Sequence, residues 1–272
     1  NSSGTLTVNN NNYTVAELKK INTGTSGDIV LNTTNAALSG TVADIVAAFA
    51  GTVTTHDGTL EITDVNTTDI QATDITTINT SNTGTITVTN TIDINGSGSE
   101  VKAAFDAIDT NTGNATANIT GTDYTVAHLK AINDATTGAI VLVDPSVDLS
   151  GDSSDIVDAF AGTVTTHTGS VTITNNDYTI AHLKAINNAT NGAIVLNHAG
   201  VALSGTVADI KAAFAGIVTT HTGTLEITDA NTTDITATDI TDINGTNTGT
   251  ITVTNTIDIN GSGADVAAAF TA

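Results

Sequence analysis

Short stretches in which aliphatic and polar residues alternate recur along the whole chain. A period of two indicates a β-strand with one buried and one outward face, because successive strand side chains point to opposite sides. A weaker form of the pattern surrounds Ala117 and Ile119. The clearer examples predict strands at Leu6/Val8, Ile29/Leu31, Leu60/Ile62, Ile86/Val88, Ile140/Leu142, Val171/Ile173, Ile194/Leu196, Leu225/Ile227 and Ile251/Val253.

Helix signals lie between these strands. Thr14 and Glu17 have the spacing of a capping box, and Thr41 with Asp44 is an acidic variant of it. Each places an oxygen acceptor and a negative charge at a helix start, where the helix dipole favours them. Gly51 stands where a glycine would end the second helix. The pattern therefore alternates one strand with one short helix.

The same order of elements is repeated five times. An Ala-Phe pair marks one helix type and an Ile-Asn pair marks the other, and both recur every 54 to 57 residues. The markers are Phe49, Phe105, Phe160, Phe214 and Phe270, and Asn22, Asn79, Asn133, Asn187 and Asn244. At an offset of 165, residues 38–105 and 203–270 are identical at 57 of 68 positions. The repeats are approximately residues 4–57, 58–113, 114–168, 169–222 and 223–272.

This periodicity predicts the fold class. Each unit holds two strand signals and two helix signals, so the chain divides into about ten coils of 23 to 31 residues. We expect an α/β solenoid spanning residues 1–272 as one domain, with parallel strands stacked on one side and short helices on the other. A mainly parallel β-helix is the alternative. The repeat continues to both ends of the sequence, which predicts a segment of a longer chain.

The register of the repeat predicts which side chains are buried. The residues expected to point inward are Ile62, Val88, Ile227 and Val253, and those expected to point outward are Thr59, Glu61 and Thr63. Identical positions of successive units superpose in a solenoid. The five Phe markers are therefore expected to form one column, interleaved with Ile21, Ile78, Ile132, Ile186 and Ile243.

The composition limits both the core and the partners. Aromatic residues make up 3% of the chain, and Trp, Met and Cys are absent, so the core must use Ile, Val, Leu and Ala. The absence of Cys also excludes disulfides and thiolate metal sites. Six basic against 28 acidic residues give a net charge of -22, which would repel nucleic acid and anionic membranes. No apolar run approaches the roughly 18 residues that span a bilayer. We expect neither nucleic-acid binding nor membrane insertion.

Histidine and aspartate are the candidates for chemistry. His56, His167 and His221 occupy equivalent TTH-x-G positions. Equivalent positions two coils apart would lie about 10 Å from each other at the strand spacing, which is too far to share one metal ion. We interpret them as solvated turn residues. A repeated series of Asp residues is assigned to turns and helix caps, with Ca²⁺ binding as the alternative: Asp64, Asp69, Asp74, Asp229, Asp234 and Asp239. No catalytic, cofactor-binding or metal-binding residue is assigned, and no enzyme activity is expected.

Two surface features bear on ligand binding. Thr-x-Thr pairs are similar to the hydroxyl ladders of ice-binding solenoids, but other residues interrupt the outward row: Val30, Glu61, Val141, Val195 and Glu226. Glycan sites generally use exposed aromatic platforms. The three tyrosines, Tyr13, Tyr124 and Tyr178, share one helix-leading position and are expected to be packed there.

The repeated segments YTVAHLKAINDATTG (residues 124–138) and LSGTVADIKAAFAG (residues 203–216) carry a resemblance. They resemble the Thr/Asn/Asp-rich tandem arrays of very large surface proteins of cyanobacteria and other aquatic bacteria, and more loosely the leucine-rich-repeat architecture. The resemblance implies secretion and a structural or adhesive role.

We therefore expect a structural module of an extracellular or cell-surface bacterial protein, such as a stalk, sheath, filament or surface-layer element. Its partners would be copies of itself or neighbouring repeats, joined end to end. The alternative is an adhesin that binds glycan, Ca²⁺ or ice.

Overall fold

The computed structural model describes residues 3–271, in which short helices alternate with short strands. The helices are α1 (Val15–Gly24), α2 (Val42–Ala48), α3 (Ala72–Ser81), α4 (Gly98–Ala107), α5 (Val126–Ala135), α6 (Ser153–Ala159), α7 (Ile180–Ala189), α8 (Val207–Ala213), α9 (Ala237–Thr246) and α10 (Gly263–Ala269). The strands of the first half are β1 (Leu6–Val8), β2 (Ile29–Leu31), β3 (Leu38–Gly40), β4 (Leu60–Ile62), β5 (Asp69–Gln71), β6 (Ile86–Val88), β7 (Asp93–Gly96), β8 (Thr110–Asn111) and β9 (Thr116–Ile119). Those of the second half are β10 (Ile140–Leu142), β11 (Leu149–Gly151), β12 (Val171–Ile173), β13 (Ile194–Leu196), β14 (Leu203–Gly205), β15 (Leu225–Ile227), β16 (Asp234–Thr236), β17 (Ile251–Val253) and β18 (Asp258–Asn260).

All ten strand positions indicated by the alternating pattern are confirmed. The expectation of one strand per coil is too simple, because most coils carry a second strand that leads into the helix. Seven of the eight additional strands either read Leu-Ser-Gly or begin with Asp-Ile, and the eighth is β8. Each of these seven holds one aliphatic residue, so it contains no aliphatic alternation from which a strand could be predicted.

Every strand pair among residues 3–271 is parallel. Leu38 pairs with Leu60, 22 positions later, and Leu60 pairs with Ile86, 26 positions later. The other pairs have offsets between these two values. We use "coil" for the stretch of chain from one strand to its parallel partner.

The chain forms two compact units. The first comprises the chain up to Tyr124, Ala131–Asp144 and Gly162–Val164, and holds the sheets β1-β2, β3-β4-β6-β8 and β5-β7-β9-β10. The second comprises Thr125–Lys130, Pro145–Ala161 and the chain from Thr165, and holds β11-β12-β13, β14-β15-β17 and β16-β18. The sheets are small and open. The chain is thus an α/β protein of parallel strands and alternating helices.

The predicted strand register is confirmed at three of its four inward positions. Ile62, Val88 and Ile227 are fully buried, while Glu61 is half-exposed beside the buried Leu60. Thr59 and Thr63 are exposed, as expected. The prediction is wrong for Val253, which is 40% exposed. The reason is that β17 ends its sheet within the described chain, so no strand covers its outer side.

The predicted caps start the helices. The Thr14 side chain accepts a hydrogen bond from the Glu17 amide, and the Glu17 carboxylate accepts one from the Thr14 amide, which completes the capping box of α1. The Thr41 side chain caps α2 by accepting a hydrogen bond from the Asp44 amide. Past α2, Gly51 has φ +74°, a left-handed conformation that glycine adopts without strain.

The Phe markers differ in burial. Phe49, Phe105 and Phe214 are buried, Phe160 is half-exposed and Phe270 is 76% exposed. The rings of Phe49, Phe160 and Phe214 each contact an imidazole, for example Phe49 with His56 at 5.9 Å between ring centroids. The interleaved column of Phe and Ile remains a prediction.

We expect Phe105→Ala to lower the free energy of unfolding by about 3 to 5 kcal/mol, because it leaves a cavity in a packed core. The equivalent Phe270→Ala should cost much less, since that side chain is already in water. Urea denaturation of dilute protein measures both values. Equal costs would contradict the burial difference.

Close backbone contact between coils explains several glycines. A Cβ on Gly192 would lie 1.7 Å from the carbonyl oxygen of Gly169, and one on Gly84 would lie 2.1 Å from that of Gly58. A methyl group at either position would collide with the backbone of the preceding coil. Glycine is required there by the stacking of one turn on the next.

We therefore expect Gly192→Ala to destabilise the protein by about 1 to 3 kcal/mol or more. Gly245→Ala is the matched control, because a Cβ there meets nothing within 4 Å and alanine favours the helix. The free energy of unfolding, measured by thermal or urea denaturation, should fall for Gly192→Ala and rise for Gly245→Ala. Retention of full stability by Gly192→Ala would contradict the close approach.

Candidate functional site

Three histidines are fully enclosed, which corrects the expectation that they are solvated turn residues. His56, His167 and His221 have no exposed surface. Each Nε2 lies 2.7 to 2.8 Å from a backbone carbonyl oxygen 20 residues earlier in the chain. The acceptors are the carbonyls of Ala36, Val147 and Val201. Because a carbonyl only accepts, each Nε2 carries the proton and donates it.

The second ring nitrogen of each histidine faces the following coil. Nδ1 of His56 lies 2.8 Å from Asn82 Oδ1, and Nδ1 of His221 lies 2.9 Å from Asn247 Oδ1. In the middle member, Nδ1 of His167 lies 3.3 Å from the Thr190 hydroxyl. Each imidazole therefore connects the preceding coil, its own coil and the next one.

A phenylalanine ring packs at a tilted angle against each of these imidazoles. Phe160 lies 5.6 Å from the His167 ring, and the equivalent pairs of Phe49 and Phe214 lie at 5.9 Å. The sequence holds a signal for this contact, because a histidine follows Phe by seven positions in three of the repeats. A TTH-x-G segment is typical of a polar turn. Its histidine is buried because neighbouring coils cover it, which the local sequence does not indicate.

The remaining histidines are closer to solvent. His128 and His182, which replace Glu17 of the first helix, are half-exposed, and His198 is exposed. Nδ1 of His182 lies 2.9 Å from the Ser153 hydroxyl of α6, so it too contacts the preceding coil.

Aspartates cap the helices of neighbouring coils. The first amide of α2, at Val42, donates to Asp64 at 2.7 Å, and that of α8, at Val207, donates to Asp229 at 2.8 Å. The cap role predicted for Asp64 and Asp229 is confirmed, with the addition that the capped helix belongs to the preceding coil. Asp239 also has a cap role, at the start of its own helix α9.

The same contact recurs in two further helices. The first amide of α4, at Gly98, donates to Asp123 at 2.8 Å, and that of α6, at Ser153, donates to Asn175 at 2.9 Å. Partial burial acts to raise the pKa of Asp123, but hydrogen bonds from the Gly98 and Ser99 amides and the Ser99 hydroxyl hold it below its ordinary value.

Lysine–aspartate pairs connect the helices of successive coils. Lys19 lies 2.5 Å from Asp44, and Lys184 lies 2.6 Å from Asp209. The hydrogen bond from each lysine lowers the pKa of its aspartate partner. Lys211 bridges Asp239 and Asp242 on the next helix in a similar way. The side chains of these pairs are largely exposed to solvent, so each pair contributes little to stability.

The tyrosines and the outward strand positions were the other candidates for ligand binding. Tyr13, Tyr124 and Tyr178 are buried, as expected, and each hydroxyl donates to a backbone carbonyl 20 residues later. Burial raises the pKa of Tyr178 to about 12. The outward row of β3, β4 and β6 reads Ser39, Glu61, Thr87, so the pairing confirms that acidic residues interrupt the hydroxyl row. Within residues 3–271, no group of three or more His, Asp or Glu side chains could hold a metal ion.

None of the helices in the described part of the chain is both long and apolar enough to cross a membrane. No protein-family model matches the chain, and no curated protein sequence matches it.

The enclosed His167 predicts a pH dependence of stability. Burial lowers its pKa below the ordinary 6.5, against the opposing effects of the Val147 carbonyl and Asp148. The neutral ring is therefore favoured in the folded state, and its contribution to the free energy of unfolding is complete above pH 6.5. This contribution is lost as the pH falls below 6.5, because the unfolded chain then binds the proton more readily than the folded chain does.

The test compares wild type with His167→Gln, whose amide can still donate to Val147 but does not titrate. Urea denaturation at about pH 7.5 and about pH 5.5 brackets the transition. We expect the decline in stability between these values to be smaller in the variant. An identical decline in both proteins would contradict the assignment.

Proposed function

We propose that this protein is a structural repeat module of a secreted or cell-surface bacterial protein, acting as part of a stalk, sheath, filament or surface layer. The observation that carries the proposal is that the polar side chains best suited to chemistry are used to connect one coil to the next. They do so by the same contacts in different repeats.

Three contacts illustrate this repetition. The pairs His56–Asn82, Val42–Asp64 and Lys19–Asp44 recur at an offset of 165. Their counterparts are His221–Asn247, Val207–Asp229 and Lys184–Asp209. A catalytic group is needed once in a chain, whereas a group that holds coils together is needed in every repeat. Repetition of this kind favours an architectural role.

The finer form of the fold is part of the proposal. Parallel pairing at offsets of 22 to 26 residues favours a solenoid of two-coil units, in which each coil extends the sheets of the one before. A solenoid grows by adding repeats, so its length is set by repeat number. That property suits an extended extracellular element.

The test locates the protein in the organism that encodes it. An antibody against the purified chain should label intact, unpermeabilised cells, and surface proteolysis should remove the label. Gold-labelled electron microscopy should place the label on extended or layered surface material. Labelling that requires permeabilisation would overturn the proposal.

A binding assay separates this role from that of an adhesin. Glycan-array binding and calcium calorimetry of the purified chain should show no saturable interaction if the role is architectural. Saturable binding at a defined stoichiometry would instead identify a ligand-binding module.

A further inference from the structure

Two of the three enclosed histidines face an oxygen acceptor on both sides of the ring. Nε2 of His221 lies 2.7 Å from the Val201 carbonyl oxygen, and its Nδ1 lies 2.9 Å from Asn247 Oδ1. His56 has the same arrangement, at 2.8 Å on each side. A neutral imidazole carries a proton on only one nitrogen. Its other nitrogen would then face an oxygen with no proton between them.

The orientation of each asparagine amide is fixed by a glycine two residues later. Asn247 Nδ2 donates to the Gly249 carbonyl oxygen at 2.9 Å, and the Gly249 amide donates to Asn247 Oδ1 at 3.1 Å. Exchanging the oxygen and nitrogen of this side chain would set like groups against each other in both contacts. Asn82 Nδ2 likewise donates to the Gly84 carbonyl oxygen, at 2.7 Å. Oδ1 is therefore the atom that faces each ring.

The third histidine has a partner that can either donate or accept. Nδ1 of His167 lies 3.3 Å from the Thr190 hydroxyl, at the position where the other two sites have asparagine. A hydroxyl proton can rotate toward a bare nitrogen, so a neutral ring is satisfied here. The longer distance agrees with a neutral imidazole, as does burial, which lowers the pKa of His167.

We propose that His56 and His221 carry a proton on both ring nitrogens in the folded chain, and that each acts as a cationic, pH-sensitive link between three coils. His167 is their neutral counterpart. The second proton converts an opposed pair of acceptors into a hydrogen bond, and hydrogen bonds from a charged donor are stronger than those from a neutral one. Removing the proton at higher pH removes one of the two hydrogen bonds. This link belongs to the fold and does not depend on where the protein is located.

The surroundings offset the cost of enclosing a positive charge. Burial of a charge is costly unless the group is paired and hydrogen-bonded, and both N–H groups of each ring have an acceptor here. The chain also has 28 acidic against 6 basic residues, which favours a cation by Coulomb attraction.

The ionisable side chains on the segments and helices around these rings differ between the two sites. They are, for His56, Tyr13 and Asp57, and for His221, Tyr178, His198, Lys211 and Asp242. Lys211 is ion-paired with Asp242, and Thr222 stands in the place of Asp57. Apart from an equivalent tyrosine, the two sites have in common the pair of oxygen acceptors.

The proton on each ring couples folding to pH. A histidine of the unfolded chain loses its proton near about pH 6.5, whereas the two folded sites retain theirs. Above that pH the folded chain holds more protons than the unfolded chain, so these sites stabilise it less as the pH rises. His167 acts in the opposite direction. The comparison of wild type with His167→Gln is unaffected, because His56 and His221 are present in both proteins.

Nitrogen-15 NMR of the wild-type chain provides a direct test. In long-range proton–nitrogen correlation spectra at about pH 7, both ring nitrogens of His56 and His221 should have the chemical shift of a protonated nitrogen. His167 should show one protonated and one bare nitrogen. Spectra of the three single His→Gln variants assign the signals. A bare nitrogen on either His56 or His221 in the folded protein would overturn the proposal.

Exchanging the partner residue tests the cause. Asn247→Thr gives His221 the partner that His167 has, so Nδ1 of His221 should lose its proton at the same pH. Thr190→Asn is the reciprocal change and should add a proton to Nδ1 of His167, with Gly192 two residues later to hold the new amide. A merely structural role of these residues would alter stability without exchanging the two spectral patterns. Unchanged patterns in the folded variants would contradict the proposal, and the wild-type spectra decide it if a variant does not fold.

Stability measurements follow the same substitution. Urea denaturation of wild type and Asn247→Thr at about pH 5.5 and about pH 7.5 gives the difference in their free energies of unfolding. We expect the advantage of wild type to shrink as the pH rises, because the charged hydrogen bond is present only in wild type. A difference that does not change with pH would contradict the charged link.

Discussion

Parallel hydrogen bonding between strands 22 to 26 residues apart is the constraint on which the other contacts depend. Paired strands are about 4.8 Å apart, so a residue in one coil must fit directly against its counterpart in the next. Where turns meet, only hydrogen fits between two backbones, as at Gly84 above Gly58. Where strands meet, small aliphatic side chains fill the narrow core, which is why the chain can do without Trp and Met.

The same spacing determines how polar groups are used. A polar group covered by coils on both sides has no access to water and must be paired within the protein. Imidazole suits this position, because its two nitrogens point in different directions. His56 can therefore reach the Ala36 carbonyl of the preceding coil and Asn82 of the following one. Aspartate has the corresponding role at helix starts, where Asp64 accepts the free amide of the neighbouring helix.

A strand inside a sheet and a strand at its edge place the same residue in different surroundings. Strand β6 is paired on both sides, whereas β17 is paired on one, and the contrast between Val88 and Val253 shows the effect on burial. The internal duplication makes this comparison direct, because the two positions have the same residue and the same sequence neighbours. The difference in exposure therefore comes from the neighbouring coil and not from the local sequence.

Features that depend on local pattern and on repetition can be predicted from the amino-acid sequence. Alternation at Leu60/Ile62 and Ile86/Val88 identifies strands because the pleat has a period of two, and Thr14 with Glu17 marks a helix start because the capping contact spans three residues. Because the repeats are similar in sequence, equivalent residues are expected to have similar surroundings. The similarity does not reveal what those surroundings are. The folded structure is needed to show that His56, His167 and His221 are buried, that Leu38–Gly40 is a strand, and that the helix capped by Asp64 belongs to another coil. These features depend on contacts between residues about 20 to 26 positions apart, and local sequence does not specify which surfaces those contacts bring together.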